Sequence, residues 1–296
     1  MLIKQHYAIV GNHSAVKICH WTKESLLHGR VCYKEKFYGI KSHRCLQMTP
    51  AVSWCTHNCI FCWRPVEYGA GAELNLPVDS PELILKEAIK AQRKLLIGYK
   101  GHPDGIDINK LEESFSPINV AISLSGEPTL YPYLSELMEL MHRRGMITFL
   151  VTNGTTDLSA LKTLPRQLYL SLDAPDEETY KIVDRPSKKA GWNKINESLL
   201  TLRDLNAKTR TVIRLTLMRK FNMKNPEGYA REILKAEPLY IELKAYMHVG
   251  YSRLRIQRSE MPSHQEIKEF AEKISELTGY SYLDESTESR VVLLKR

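Results

Sequence analysis

Three thiols within eight residues, Cys55-Thr-His-Asn-Cys59-Ile-Phe-Cys62, mark where this chain can do chemistry. A loop of that length has no room for three unrelated structural roles. It can wrap three thiolates around one corner of a cubane iron–sulfur cluster, which takes soft sulfur ligands at close range. No fourth cysteine lies nearby, so one iron of such a cluster would stay open to a small ligand. Zinc is the plainer alternative, although structural zinc sites usually recruit two Cys-x-x-Cys pairs into a closed set of four. Buried, unrelated cysteines are the third reading.

A second trio precedes the first. Cys19, Cys32 and Cys45 recur with twelve residues between each pair, and three evenly spaced thiols cannot pair off without one left over. A second three-cysteine cluster with an open iron follows as an expectation. Scattered thiols, or zinc completed by His20 or His43, are its competitors. The segment around Cys32 interleaves Lys34, Lys36, Lys41 and Arg44 with Tyr33, Phe37 and Tyr38. That composition suits phosphate contact and base stacking, or simply a solvated ribbon. A lysine beside an open iron could instead attack a carbonyl, because desolvation and nearby positive charge favour the neutral amine.

These groups need a scaffold, and the apolar pattern supplies one. Strand candidates at 48–54, 118–125, 146–154, 167–175, 211–218 and 239–250 alternate with helical segments, the signature of a parallel sheet. Parallel sheets gather their chemistry at the C-terminal ends of the strands. There the sequence sets Gly126 and Glu127, then Asn153, then Ser171 and Asp173, all candidates for cofactor contact. Helices are expected at 79–98, 131–145, 226–237 and 263–279, and a short last strand at 291–296. Further basic stretches carry Arg185, Lys188, Lys189 and Lys194, then Arg253 and Arg255.

Composition bounds the rest. The 296 residues are 43% hydrophobic and 26% charged, as in a globular protein, with a formal charge of +8 and a pI near 9.0. The surplus favours a polyanionic partner such as nucleic acid, though many proteins of this pI bind none. No apolar run approaches the ~18 residues of a membrane span, and the first residues lack a signal-peptide pattern. Six cysteines then belong to a reducing, cytoplasmic compartment, as metal ligands rather than disulfides.

The Cys-x3-Cys-x2-Cys spacing, with Phe61 ahead of the last thiol, resembles the signature of the radical S-adenosylmethionine (SAM) superfamily. The resemblance implies a [4Fe-4S] cluster on Cys55, Cys59 and Cys62. Its open iron takes the amino and carboxylate groups of SAM, and one electron splits the sulfonium into methionine and a 5′-deoxyadenosyl radical. Ser125-Gly126-Glu127 resembles the Gly-Gly-Glu motif that holds the SAM amino group, with Ser125 in place of the first glycine. The implied fold is α/β, an incomplete (β/α)6 barrel at 48–250, with an N-terminal cysteine-containing extension at 1–47 and a C-terminal helix and strand at 251–296.

The spaced cysteines, the CYKEKFYGIKSHRC segment, CTHNCIFCWRP and SLSGEPTLYP together resemble the archaeal tRNA 4-demethylwyosine synthases of wybutosine biosynthesis. That family condenses N1-methylguanosine, next to the anticodon of tRNA(Phe), with two carbons of pyruvate to form a tricyclic base. Carried onto this chain, Cys19, Cys32 and Cys45 hold a second [4Fe-4S] cluster that could chelate pyruvate. Lys34, or failing it Lys41, forms a Schiff base with the ketone. Lys36, Arg44, Arg185, Lys188, Lys189, Arg253 and Arg255 are the expected RNA contacts. The eukaryotic relatives carry a flavodoxin-like domain that has no counterpart here, so an external electron-donor protein and a monomer are expected. The alternatives are a radical SAM enzyme acting on a small molecule or protein, and a zinc-containing RNA-binding protein without catalysis.

Overall fold

All six strand candidates form strands, and α-helices separate them except between the third and fourth, where only a 3-10 turn (Leu158–Ala160) intervenes. The computed structural model describes residues 2–102, 105–188 and 190–296. The chain divides into two units. One holds the chain up to Trp54 with Leu74–Val151 and Leu161–Arg166; the other holds Cys55–Glu73, Thr152–Ala160 and Gln167–Arg296.

The first unit opens with an antiparallel hairpin, β1 (Ala8–Val10) and β2 (Ser14–Val16). Two short helices follow, α1 (His20–His28) and α2 (Tyr33–Tyr38), then strand β3 (Cys45–Thr49). Helices α3 (Pro81–Ile97) and α4 (Ile108–Ser114) lead to β4 (Asn119–Ile122), and α5 (Leu134–Arg143) leads to β5 (Ile147–Thr152). Strand β2 runs antiparallel to β3, whereas β3, β4 and β5 are parallel. Leu46, Met48, Val120, Ile122 and Leu150 are fully buried. Each contributes about 1.5–3 kcal/mol by leaving water. Helix α3 begins where its caps dictate: Ser80 Oγ accepts from the Leu83 N–H at 3.3 Å, and Pro81 occupies the first turn.

Strand boundaries differ from the sequence reading, most of all at the first predicted strand, and the others end earlier than expected where their turns begin. The first strand starts at Cys45 rather than 48 and stops at Thr49. Pro50 has no N–H to give the ladder, so 50–54 leaves the sheet and turns on a Trp54 N–H to Ala51 carbonyl bond of 3.3 Å.

The second unit contains β6 (Gln167–Ser171), α6 (Glu177–Val183), α7 (Trp192–Leu205), β7 (Arg210–Leu217), α8 (Pro226–Ala236) and β8 (Tyr240–Ala245). It closes with α9 (His264–Thr278), β9 (Ser281–Ser286) and β10 (Val291–Lys295). Strands β6, β7 and β8 are parallel, and β10 pairs antiparallel with both β8 and β9. Strand β9 was not legible beforehand, because its Tyr282 and Leu283 are exposed and break the usual alternation.

Strand periodicity sorts this unit's side chains. Leu168, Leu170, Ile213, Leu215, Ile241 and Leu243 bury one face completely. On the other face the register sets Ser171, Arg214 and Glu242 abreast, with Thr216 beside Lys244. Fully buried Glu242 accepts from Arg214 Nε at 3.1 Å, and the guanidinium stacks 4.4 Å from the Tyr169 ring centre.

Candidate iron–sulfur and cofactor sites

The Cys55–Cys62 loop lies in the second unit and is pinned by its backbone. Cys55 N–H bonds the Gly71 carbonyl (2.9 Å), Asn58 N–H that of Asp184 (3.0 Å), Ile60 N–H that of Val183 (2.8 Å) and Cys62 N–H that of Cys59 (3.1 Å). Asn153, at the end of β5, donates to Thr56 Oγ1 at 2.8 Å and lies 3.8 Å from Cys55 Sγ. Thr155 Oγ1 is 2.6 Å from Thr56 Oγ1 and donates to Asn153 Oδ1 at 2.8 Å. Hence Asn153 meets the loop directly.

Two groups the sequence reading passed over complete this neighbourhood. Cys59 Sγ donates to Asp184 Oδ1 at 3.2 Å, and His57 Nε2 lies 2.7 Å from the Tyr180 hydroxyl. Burial drives the His57 imidazole down to about 3, so it is neutral. Burial first, then Asp184, Cys55, Cys62 and Asp173, push the Cys59 thiol well up. The three sulfurs are thus close enough to repel as thiolates and need a cation to ionise together. A three-thiolate iron–sulfur site supplies that cation, and the soft donor set fits it. His57, Cys59 and Asp184 also bring one donor atom each within 4.8 Å, a mixed set that shares Cys59. His57 lies inside the cysteine motif and was open to notice; Asp184 is distant in sequence and carried no signal.

Asp173 is buried, accepts from the Thr216 N–H at 2.6 Å and is pushed up to about 6, chiefly by burial. Ser171 ends β6 half-buried.

Gly126 and Glu127 belong to the first unit. Gly126 has φ +70°, and a β-carbon there would fall 1.8 Å from the Ala51 carbonyl oxygen and 2.5 Å from that of Trp54. Only glycine fits so close an approach. Glu127 is buried, and its N–H bonds the Trp54 carbonyl at 2.7 Å. Its carboxylate accepts from the Thr129 N–H (3.1 Å) and hydroxyl (2.6 Å), which aims and fixes it.

The second trio converges within the first unit. Cys19 and Cys32 are the N-cap residues of α1 and α2, and Cys45 opens β3. A helix start favours a thiolate there. Cys45 is pushed up mainly by burial and also by Cys19 and Cys32, and Lys34 pulls it the other way, so all four groups are neighbours. The register sets Cys45 opposite Ile147 through Asn119, which leaves Phe149 two residues along on the face of Cys45. Lys34 Nζ stands 5.1 Å from the Phe149 ring centre. Lys41 is exposed and interacts with Glu113, which distinguishes it from Lys34. His20 is 4.0 Å from Glu24, and His43 Nε2 is 2.7 Å from Glu113.

The expected RNA contacts separate into two kinds. Lys36, Arg185, Lys188 and Arg253 are exposed. Lys189 lies outside the described residues. Arg44 is committed instead to the Ser116 carbonyl, through Nε (3.0 Å) and Nη2 (2.9 Å). Arg255 is a correction: its side chain is 8% exposed and turned inward to backbone carbonyls. A basic run in sequence cannot show which of its side chains has unsatisfied carbonyls beneath it.

Comparison with known proteins agrees with this geometry. A family profile described as Radical SAM superfamily matches residues 50–233, and one described as Wyosine base formation matches 235–296. The S-adenosyl-L-methionine-dependent tRNA 4-demethylwyosine synthase of Pyrococcus abyssi is 58% identical, covering 99% of this chain and 86% of its own. Its namesake from Methanocaldococcus jannaschii is 43% identical, covering 100% and 94%. A solved structure of TYW1 with a lysine–pyruvate adduct bound superposes with a TM-score of 0.89 at 40% identity, over 99% of this chain and 93% of that one.

Proposed function

This chain belongs to the tRNA 4-demethylwyosine synthase family of radical SAM enzymes, and from that premise we propose that it condenses N1-methylguanosine of tRNA(Phe) with pyruvate carbons to form 4-demethylwyosine. Cys55, Cys59 and Cys62 would hold the [4Fe-4S] cluster that binds SAM. Together these cofactors supply a 5′-deoxyadenosyl radical, and so a hydrogen-atom abstraction, which we assign to the N1-methyl group. Gly126 lets the backbone approach closely, and Glu127, fixed by Thr129, would accept from the SAM amino group. Asn153 would hold the cluster loop in place through Thr56; Ser171 and Asp173 are further SAM contacts in this reading.

Cys19, Cys32 and Cys45 would hold a second [4Fe-4S] cluster, with an open iron to chelate pyruvate. Lys34 is our choice for the amine that captures it, with Lys41 second. Lys34 Nζ would add to the ketone carbon, and the carbonyl oxygen would leave as water to give an imine. The observation that carries this reading is the gathering of three thiols and one lysine in the first unit, next to Phe149. The lysine–pyruvate adduct of the solved relative supports it.

Lys36, Arg185, Lys188 and Arg253 are the exposed side chains we assign to tRNA phosphates. In functional terms 1–47 is the second-cluster extension, 48–250 the radical-generating part and 251–296 its completion. We place the reaction in the cytoplasm, with an external electron donor and a monomeric enzyme; six cysteines kept as thiols suit a reducing compartment.

The test is reductive trapping. Incubation with labelled pyruvate and cyanoborohydride, followed by peptide mapping, is expected to place the label on Lys34. Label on Lys41 moves the role, and no label together with full product formation by Lys34→Ala removes the Schiff base from the mechanism.

A further inference from the structure

Residues 235–296, which match the wyosine-forming profile, send one side chain back into the cluster loop. Arg255 Nε donates to the Ile60 carbonyl at 3.0 Å. Its Nη2 donates to the carbonyls of Cys62 and, at 3.2 Å, of Arg64. Its Nη1 pairs with Glu67 Oε1 at 2.6 Å. Three carbonyls from alternate residues, 60, 62 and 64, therefore curl around a single guanidinium. The same segment grips the loop by its backbone: Tyr251 N–H bonds the Trp63 carbonyl at 3.0 Å. Gly250 lies so close that a β-carbon there would sit 2.4 Å from that oxygen. Next to Arg255, Ile256 is buried in one apolar cluster with Ile60, against which Phe61 packs.

This arrangement answers two needs at once. Carbonyls withdrawn from water need donors, and only a planar fork with five N–H groups can serve three of them and a carboxylate together. Any cluster ligated by Cys62 would also have the Arg255–Glu67 pair beside that ligand, with the guanidinium bonded directly to the Cys62 carbonyl.

We propose that Arg255 is a positioning residue through which the C-terminal segment sets both the shape of the cluster loop and the charge next to Cys62. The proposal rests on the reading of Cys55, Cys59 and Cys62 as cluster ligands. It predicts that the two roles come apart on substitution. Reduction adds negative charge to the cluster, so loss of the neighbouring cation makes reduction harder and moves the midpoint potential negative. Loss of the fork leaves carbonyls unserved and loosens the loop.

The experiment uses anaerobically reconstituted full-length protein with Arg255→Lys and Arg255→Gln. The readouts are iron release to a chelator, and the midpoint potential of the electron-paramagnetic-resonance signal that responds to added SAM. Arg255→Lys keeps the charge and loses the fork. It should release iron about tenfold faster, corresponding to about 1.4 kcal/mol, at a potential close to wild type. Arg255→Gln should release iron at least as fast and have a more negative potential. Should Arg255→Gln not fold, Arg255→Lys alone still decides the positioning role. Wild-type release rates and potentials in both variants would overturn the proposal. A wild-type protein with no SAM-responsive signal would overturn the ligand assignment instead, and Cys62→Ala provides the spectrum expected in that case.

Discussion

Replacement of Gly126 by alanine is the sharpest test of how this fold holds its cofactor site. The backbone there is left-handed at φ +70°, which costs an L-residue about 1–2 kcal/mol. The added β-carbon would start 1.8 Å from the Ala51 carbonyl oxygen and 2.5 Å from that of Trp54. Both atoms are backbone, and the surroundings give little room. Thr49 Oγ1 donates to the Ser125 carbonyl at 2.6 Å and accepts from the Ala51 N–H at 3.2 Å, while Ser125 Oγ donates to the Val52 carbonyl at 2.9 Å. Relief requires a backbone shift of roughly 1 Å, and overpacking of this kind costs about 1–3 kcal/mol. The Trp54 carbonyl also receives the Glu127 N–H, so the shift carries Glu127 with it. A total of about 2–5 kcal/mol should lower Tm by roughly 4–20 °C. A carboxylate displaced by about 1 Å should cost on the order of 100-fold in SAM cleavage. Gly145→Ala is the control: φ is again +70°, but nothing lies within 4 Å. It should show only the conformational cost, with SAM cleavage unchanged. The assay is thermal unfolding of both variants, with 5′-deoxyadenosine release under a chemical reductant. If Gly126→Ala matches Gly145→Ala in Tm and cleaves SAM within twofold of wild type, the steric reasoning is wrong.

Alanine at Cys55, Cys59 or Cys62 should abolish SAM cleavage. At Cys19, Cys32 or Cys45 it should spare some cleavage but stop tRNA product, with iron falling from about eight to about four per chain; unchanged iron in the second set refutes a second cluster. Glu266 is held down at about 2, first by its hydrogen bonds from Arg219, at 2.6 Å to each oxygen. Its folded value is below its unfolded one, so the stabilisation is present above about pH 4.5 and lost as pH falls through about 2. The nominal 3 kcal/mol shrinks to about 1 kcal/mol, because the pair is a third exposed and screened. Glu266→Gln should therefore unfold about 2–4 °C below wild type at neutral pH and level with it near pH 2. Charge reversal at Lys36, Arg185, Lys188 and Arg253 together should weaken tRNA binding and flatten its salt dependence without changing SAM affinity. An unchanged slope places the RNA elsewhere.

The chemistry was legible in the chain because it is local. Cys55, Cys59 and Cys62 are close whatever the fold, and three soft donors in one loop leave few choices of partner. The strands were legible because apolar runs of their length must be buried, and helices between them force a parallel order. Capping residues such as Ser80 and Ser263 placed the helix starts, since their oxygens serve the first N–H groups without help from elsewhere. What tertiary structure alone decided is everything that depends on residues far apart in sequence. Asp184 reaches Cys59 across 125 positions, and Arg255 reaches Ile60 across 195. Lys34 and Lys41 are alike in sequence, yet the turn of α2 carries one to Phe149 and leaves the other exposed. Arginines in one basic run likewise part company: Arg253 stays in water, while Arg255 is drawn inward because burial makes unserved carbonyls costly and a guanidinium can serve several at once.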